Sequence, residues 1–135
     1  MIQRIQYLDK LKLFKDKQLI KVITGVRRCG KSTLFTLYQA YLLSTGIAKE
    51  QIQTFNFEDI LNADLQDYTK LHKHILDNAV ANKKNYIFLD EIQNVPQFQK
   101  AVDSLYIRDN FDIYITGSNA YLLSGELATL LSGRY

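Results

Sequence analysis

The chain has 135 residues, enough for one domain with a sizeable core and too few for two. Hydrophobic residues at 47% and charged residues at 23% exclude wholesale disorder, and a net charge of +3 permits nucleic-acid contact without arguing for it. One cysteine, Cys29, excludes an internal disulfide and fits a reducing compartment.

No apolar run approaches the roughly 18 residues of a membrane span. The opening Met-Ile-Gln-Arg-Ile-Gln-Tyr is polar where a secretion signal needs an apolar segment. The expected location is cytoplasmic.

In chain order, Ile2, Ile5, Leu8, Leu11 and Phe14 recur every three residues, which predicts an amphipathic helix over 1–15. It either packs on a sheet or walls the pocket of a base. Asp16 to Gln18 turns the chain. Leu19-Ile-Lys-Val-Ile23 is an apolar, β-branched run and reads as a buried strand. That strand enters Gly25, four intervening residues, and Gly30-Lys31-Ser32, the P-loop pattern. The glycines let the backbone curl so that successive N–H groups face phosphate oxygens. Lys31 adds a mobile positive charge for the β- and γ-phosphates, and the Ser32 hydroxyl suits Mg²⁺.

A helix opening at Lys31, with Leu34, Leu37, Tyr38, Tyr41 and Leu42 on one face and Gly46 as its stop, directs its positive end at the same anion. The phosphate-binding set is Gly25, Val26, Arg27, Arg28, Cys29, Gly30, Lys31, Ser32 and Thr33. Arg27 and Arg28 hold its variable positions, where solvent exposure is favoured over phosphate contact. Cys29 fits as a spacer, and its alkylation offers a steric block.

Residues 53–81 read as a second strand, Gln53 to Phe57, followed by a helix marked by Leu65, Tyr68, Leu71, Ile75 and Ala79. Glu58 and Asp59 close that strand, either supporting a metal or water or lying on the surface. Asn82 to Asn85 reads as a solvated turn. His72 and His74 are two apart on a helix, so they face different ways and cannot chelate one metal by themselves. Tyr86-Ile-Phe-Leu89 is continuously apolar, as a strand buried on both faces must be. Pro96 is placed at the start of the helix that carries Phe98, Ala101, Val102, Leu105 and Tyr106, closing segment 86–107. Phe111 to Thr116 is the fourth strand, and the tail to Tyr135 reads as short helical pieces. Strands alternating with helices predict an α/β domain with a parallel sheet covered on both faces.

Four apolar residues before Asp90 make the Walker B pattern, which delivers a carboxylate to the sheet edge where Mg²⁺ sits beside a P-loop. Asp90 would hold the metal with Ser32. Glu91 directly after it can orient and deprotonate an attacking water. Thr116, Ser118 and Asn119 end the fourth strand with polar groups at the same edge. Asn119 is the first choice to sense a γ-phosphate or hold the water, Ser118 the second, and a turn using Gly-Ser-Asn for its geometry is an equal reading. Arg134 offers reach to a γ-phosphate in its own subunit or a neighbour's, against a plain surface role. The catalytic candidates are Lys31, Glu91, Asn119 and Arg134.

Together, Gly25 to Ser32, Leu89-Asp90-Glu91 and Thr116-Gly-Ser-Asn119 resemble the AAA-like branch of P-loop ATPases. More closely, Thr24-Gly-Val-Arg-Arg-Cys-Gly-Lys-Ser-Thr33, Phe88-Leu-Asp-Glu-Ile-Gln93, Ile115-Thr-Gly-Ser-Asn119 and Leu131-Ser-Gly-Arg-Tyr135 are similar to a bacterial and archaeal group of ATPases. In that group an AAA-like domain precedes a C-terminal domain of unknown function. The resemblance implies ATP with Mg²⁺ and a sheet order of 5-1-4-3-2. The group's pattern continues past the Gly-Arg-Tyr segment into a fifth strand, so the chain resembles an N-terminal fragment. The expectation is an order of 1-4-3-2 with the Leu19–Ile23 strand at an edge, open to pairing with another chain.

The function expected is ATP hydrolysis by water attack, with the cellular process unidentified. The alternative is a nucleotide-gated binding module with negligible turnover, with nucleic acid, a second copy or the C-terminal domain as partner. A small-molecule kinase would need an arginine-rich lid and an acceptor site, and neither is evident.

Overall fold

A computed structural model describes residues 8–9, 11–13, 15, 20–23 and 28–117, with residues 28–33 described by their backbone alone. The strands are β1 (Lys21–Ile23), β2 (Ile52–Asn56), β3 (Asn85–Asp90) and β4 (Phe111–Thr116). The helices are α1 (Arg28–Ser44), α2 (Tyr68–Asp77) and α3 (Phe98–Tyr106). The described sheet runs β1-β4-β3-β2, and every pairing is parallel. This is the order expected with β1 at one end.

Parallel strands need crossover helices, and these cover both faces of the sheet. One face buries Ile87, Leu89, Ile113 and Ile115 against Leu71 and Ile75 of α2 and Phe98, Val102 and Leu105 of α3. The other buries Tyr86, Phe88 and Tyr114 against Leu34, Phe35, Tyr38 and Leu42 of α1. β3 and β4 are buried along their whole length, as a two-sided strand requires. Phe88 is the centre of the α1 face. Its ring stacks on Tyr114 at 4.8 Å and meets the edge of Phe35 at 5.0 Å.

Residues 8–9 and 11–13 are helical, within the amphipathic segment expected over 1–15. Leu11 is buried in the α1-side core, and the Lys12 ammonium sits 4.6 Å from the Tyr41 ring centroid. These contacts are the packing role.

Several boundaries differ from the sequence reading. α1 begins at Arg28 rather than Lys31, because the helical turn continues back through Cys29 and Gly30. Arginine and cysteine are adequate helix formers, and one glycine costs only about 1 kcal/mol. β2 is shifted by one residue, and Phe57 lies just past it with its N–H donating to the Asp90 carbonyl at 3.0 Å. The helix expected through Leu65 is divided. Ile60–Gln66 is a 3₁₀ helix, and α2 starts only after Asp67, whose carboxylate accepts the Thr69 and Lys70 N–H groups. Pro96 lies ahead of α3 rather than at its first position. Gln97, at φ 57°, is the residue from which the helix departs. Asn85 is buried rather than solvated: its side chain bonds Val80 N–H at 2.8 Å and the Val80 and Lys83 carbonyls at 3.0 Å, closing the turn onto β3.

Candidate functional site

Parallel register delivers the strand ends to one edge. Ile23 pairs with Thr116, and Asn56 pairs with Asp90. β1 ends there at Ile23, and α1 starts at Arg28. Arg28, Cys29, Gly30 and Lys31 thus make the first helical turn, whose N–H groups lack partners inside the helix. Ser32 and Thr33 follow in the same helix. Gly25, Val26 and Arg27 lie outside the described residues, as do Ser118, Asn119 and Arg134.

The described half of the site is built around Thr116. Alternation along a strand puts Asp90 on the face of Phe88, and Thr116 on the face of Tyr114, which is the α1 face. The fully buried Thr116 hydroxyl donates to Asp90 Oδ1 and accepts the Glu91 N–H at 2.9 Å. One hydroxyl can do both, having one proton and two lone pairs. It thereby ties the end of β4 to the two consecutive acids after β3. Asp90 and Glu91 are both buried, at 6% and 5% exposure, where an unsupported carboxylate is costly.

Glu91 adopts the left-handed conformation, φ 57° and ψ 50°, uncommon for a residue with a side chain. The chain turns out of β3 at that residue into a short 3₁₀ helix, Ile92–Asn94. The Glu91 carboxylate accepts Gln93 Nε2–H at 2.9 Å. Strain of this kind persists where the surroundings over-determine it, and it clusters at functional sites. Below, the Phe57 carbonyl accepts Gln66 Nε2–H at 3.0 Å and Asn94 Nδ2–H at 3.4 Å, so the connections after β2 and β3 are tied together.

As a donor set for a cation, Asp90 with the adjacent Thr116 hydroxyl offers hard oxygens, which suit Mg²⁺. Among the described residues no group of three His, Cys, Asp or Glu could form a metal cage. Mg²⁺ characteristically takes one or two carboxylates and completes its shell with water and phosphate. Asp59 serves its own turn, accepting the Leu61 N–H at 2.9 Å. His74 meets the Phe55 ring edge-on at 5.5 Å.

A second buried polar cluster lies deeper on the α1 face. Lys21 of β1 and Asp112 of β4 form an ion pair, both side chains buried. The Tyr114 hydroxyl donates to Asp112 Oδ2 at 2.7 Å and lies 2.8 Å from the Tyr38 hydroxyl of α1. The Tyr38 hydroxyl gives its one proton to the Tyr114 oxygen, and the Leu11 carbonyl lies 3.3 Å from the Tyr38 oxygen. Burial first, then the Asp112 carboxylate and Tyr38, push the Tyr114 phenol far above its usual range, so it is a permanent donor. The cluster links β1, β4, α1 and the N-terminal segment.

Sequence reasoning passed over Thr116 in favour of Asn119 and Ser118, and it missed the Lys21 cluster. The signals were a lysine inside a β-branched strand and an aspartate inside Phe111–Thr116, each unusual in a buried strand.

A family model described as an AAA domain matches residues 17–135. The chain is 51% identical over 138 aligned positions to an uncharacterized protein of Haemophilus influenzae, covering all of this chain and 34% of that protein. It is 40% identical over 127 positions to an uncharacterized protein of Methanocaldococcus jannaschii, covering 93% of this chain and 26% of that one. The chain thus spans about a third and a quarter of these relatives. The solved structure of C. elegans PCH-2 superposes with a TM-score of 0.51 over 95% of this chain and 38% of that one, at 15% identity, a likeness of fold. Among the described residues no helix is long and apolar enough to cross a membrane.

Proposed function

The chain belongs to the AAA domain family, and on that premise we propose that it binds Mg·ATP at Gly25–Thr33 and hydrolyses it with water activated by Glu91. The observation that carries this reading is the Thr116 hydroxyl holding Asp90 and the Glu91 N–H at the edge where β1 meets α1. A metal carboxylate and a neighbouring base need fixed relative positions, because phosphoryl transfer is mostly positioning and charge neutralisation.

In this reading the backbone amides of Gly25 to Thr33 cradle the phosphates and Lys31 neutralises the γ-phosphate. Asp90 and Ser32 would hold Mg²⁺, which would supply charge neutralisation to the phosphates. Glu91 takes a proton from water as its oxygen attacks the γ-phosphorus. The bond to the bridging oxygen breaks, leaving ADP and inorganic phosphate. Asn119 senses the γ-phosphate, and Arg134 stabilises its developing charge. Because the relatives extend well beyond the matched segment, we assign any nucleotide-driven change to a role in a longer protein.

The test is thermal unfolding titrated with Mg·ATP, beside Lys31→Ala. A ligand bound only to the folded state stabilises by about 2.7 kcal/mol at 100-fold over its Kd. A dose-dependent rise in midpoint that Lys31→Ala abolishes is the expected result, and no rise at millimolar concentration refutes binding. Glu91→Gln is expected to stop turnover while leaving the rise intact. Unchanged turnover would favour a nucleotide-gated module instead.

A further inference from the structure

We infer that Gln93 is a positioning residue that sets the Glu91 carboxylate for catalysis; this rests on the reading of Glu91 as the base. Gln93 lies two residues on, in the 3₁₀ helix that Glu91 initiates. Its Nε2 is 2.9 Å from Glu91 Oε1. Its amide orientation is chemically decided, because the reverse would set a carbonyl oxygen against a carboxylate.

The second observation is the other end of that amide. Gln93 Oε1 is buried and has no hydrogen-bond partner among the described residues. A glutamine beside a surface turn ordinarily rotates until both ends are satisfied. Gln93 instead meets the carboxylate and leaves its own oxygen unmet by any described residue. The left-handed backbone at Glu91 gives a reason for the arrangement. That conformation turns the chain away from β3, so the strand no longer sets where the Glu91 side chain points. Thr116 fixes the Glu91 N–H, Gln93 fixes the carboxylate, and the two together hold both ends of the residue.

The experiment is a double-mutant cycle on ATP turnover, using Gln93→Leu, Glu91→Gln and the pair, with residual rates read under single-turnover conditions. Gln93→Leu is expected to lower kcat about 10- to 100-fold with KM within about twofold. In the Glu91→Gln background it is expected to cost nothing further, because a residue that acts only through Glu91 has nothing left to position. A merely structural role would lower both backgrounds by the same factor, and that result overturns the inference. Gln93→Glu, which keeps size and polarity but opposes two carboxylates, serves if the leucine variant does not fold; wild-type kcat there also overturns it. If Glu91→Gln itself keeps full turnover, the base reading fails, and Gln93 with it. If Glu91→Gln stops turnover and Gln93→Leu is fully active, only the Gln93 inference fails.

Discussion

Thr116 has one hydroxyl, and two groups depend on it. Thr116→Val keeps the shape and removes both hydrogen bonds, leaving the Asp90 carboxylate and the Glu91 N–H each short of a partner. The expected cost is about 1–3 kcal/mol, read as a lower urea midpoint at unchanged slope. Thr116→Ser is expected to recover most of it, and equal loss in both variants would refute the hydrogen-bond account. His72 on α2 is a different residue-scale case. Burial, and then the Arg108 charge, hold its imidazole below the ordinary 6.5. The unfolded chain therefore takes up the proton first as pH falls. The stability tied to His72 is complete above 6.5 and declines as pH drops from there toward the lower folded value. His72→Gln is expected to flatten that part of the curve of stability against pH, and an unchanged slope would refute it. Asp90 and Glu91 were legible as an acid pair ending an apolar run. Their dependence on Thr116 was not, because hydrogen-bond geometry is set by strand register.

At the scale of elements, β1 is short, and among the described strands it pairs with β4 alone. The Lys21–Asp112 pair adds a side-chain clamp between these strands, and Tyr38 and Tyr114 extend it to α1. Lys21→Met alone leaves a buried carboxylate without its cation and is expected to cost about 3–5 kcal/mol. Lys21→Met with Asp112→Leu is expected to cost much less than the sum of the two single changes. Additive losses in chemical denaturation would show that the pair is not coupled. Element types and order followed from periodicity, but several ends did not. The division at Asp67 and the start of α3 after Gln97 depend on a cap and a left-handed residue, and neither changes the apolar pattern.

For the whole molecule, the two cores share one sheet, so neither face is a separate unit. Phe88 serves the α1 face and Phe98 the opposite one, and both are fully buried. Phe88→Ala and Phe98→Ala are each expected to cost about 3–5 kcal/mol. Each should shift a single transition seen alike by circular dichroism and tyrosine fluorescence, as for most domains under about 150 residues. Two separated transitions in the Phe88 variant would show that the α1 face melts by itself.

The sequence by itself determined that strands alternate with helices and that β3 is buried on both faces, and it carries a glycine-rich loop and an acid pair from which a phosphate site is proposed. Each of these is local: a period, a turn residue, or a motif spanning a few positions. The order 1-4-3-2 followed from family resemblance rather than from any pattern in the residues. Only the tertiary structure decided that Thr116, 26 residues after Asp90, bridges the acids, and that Lys21 meets Asp112 across 91 positions. Parallel strands make their contacts through crossovers, so partners on facing strands are distant in the chain. Nothing in the local spacing records which of them will meet.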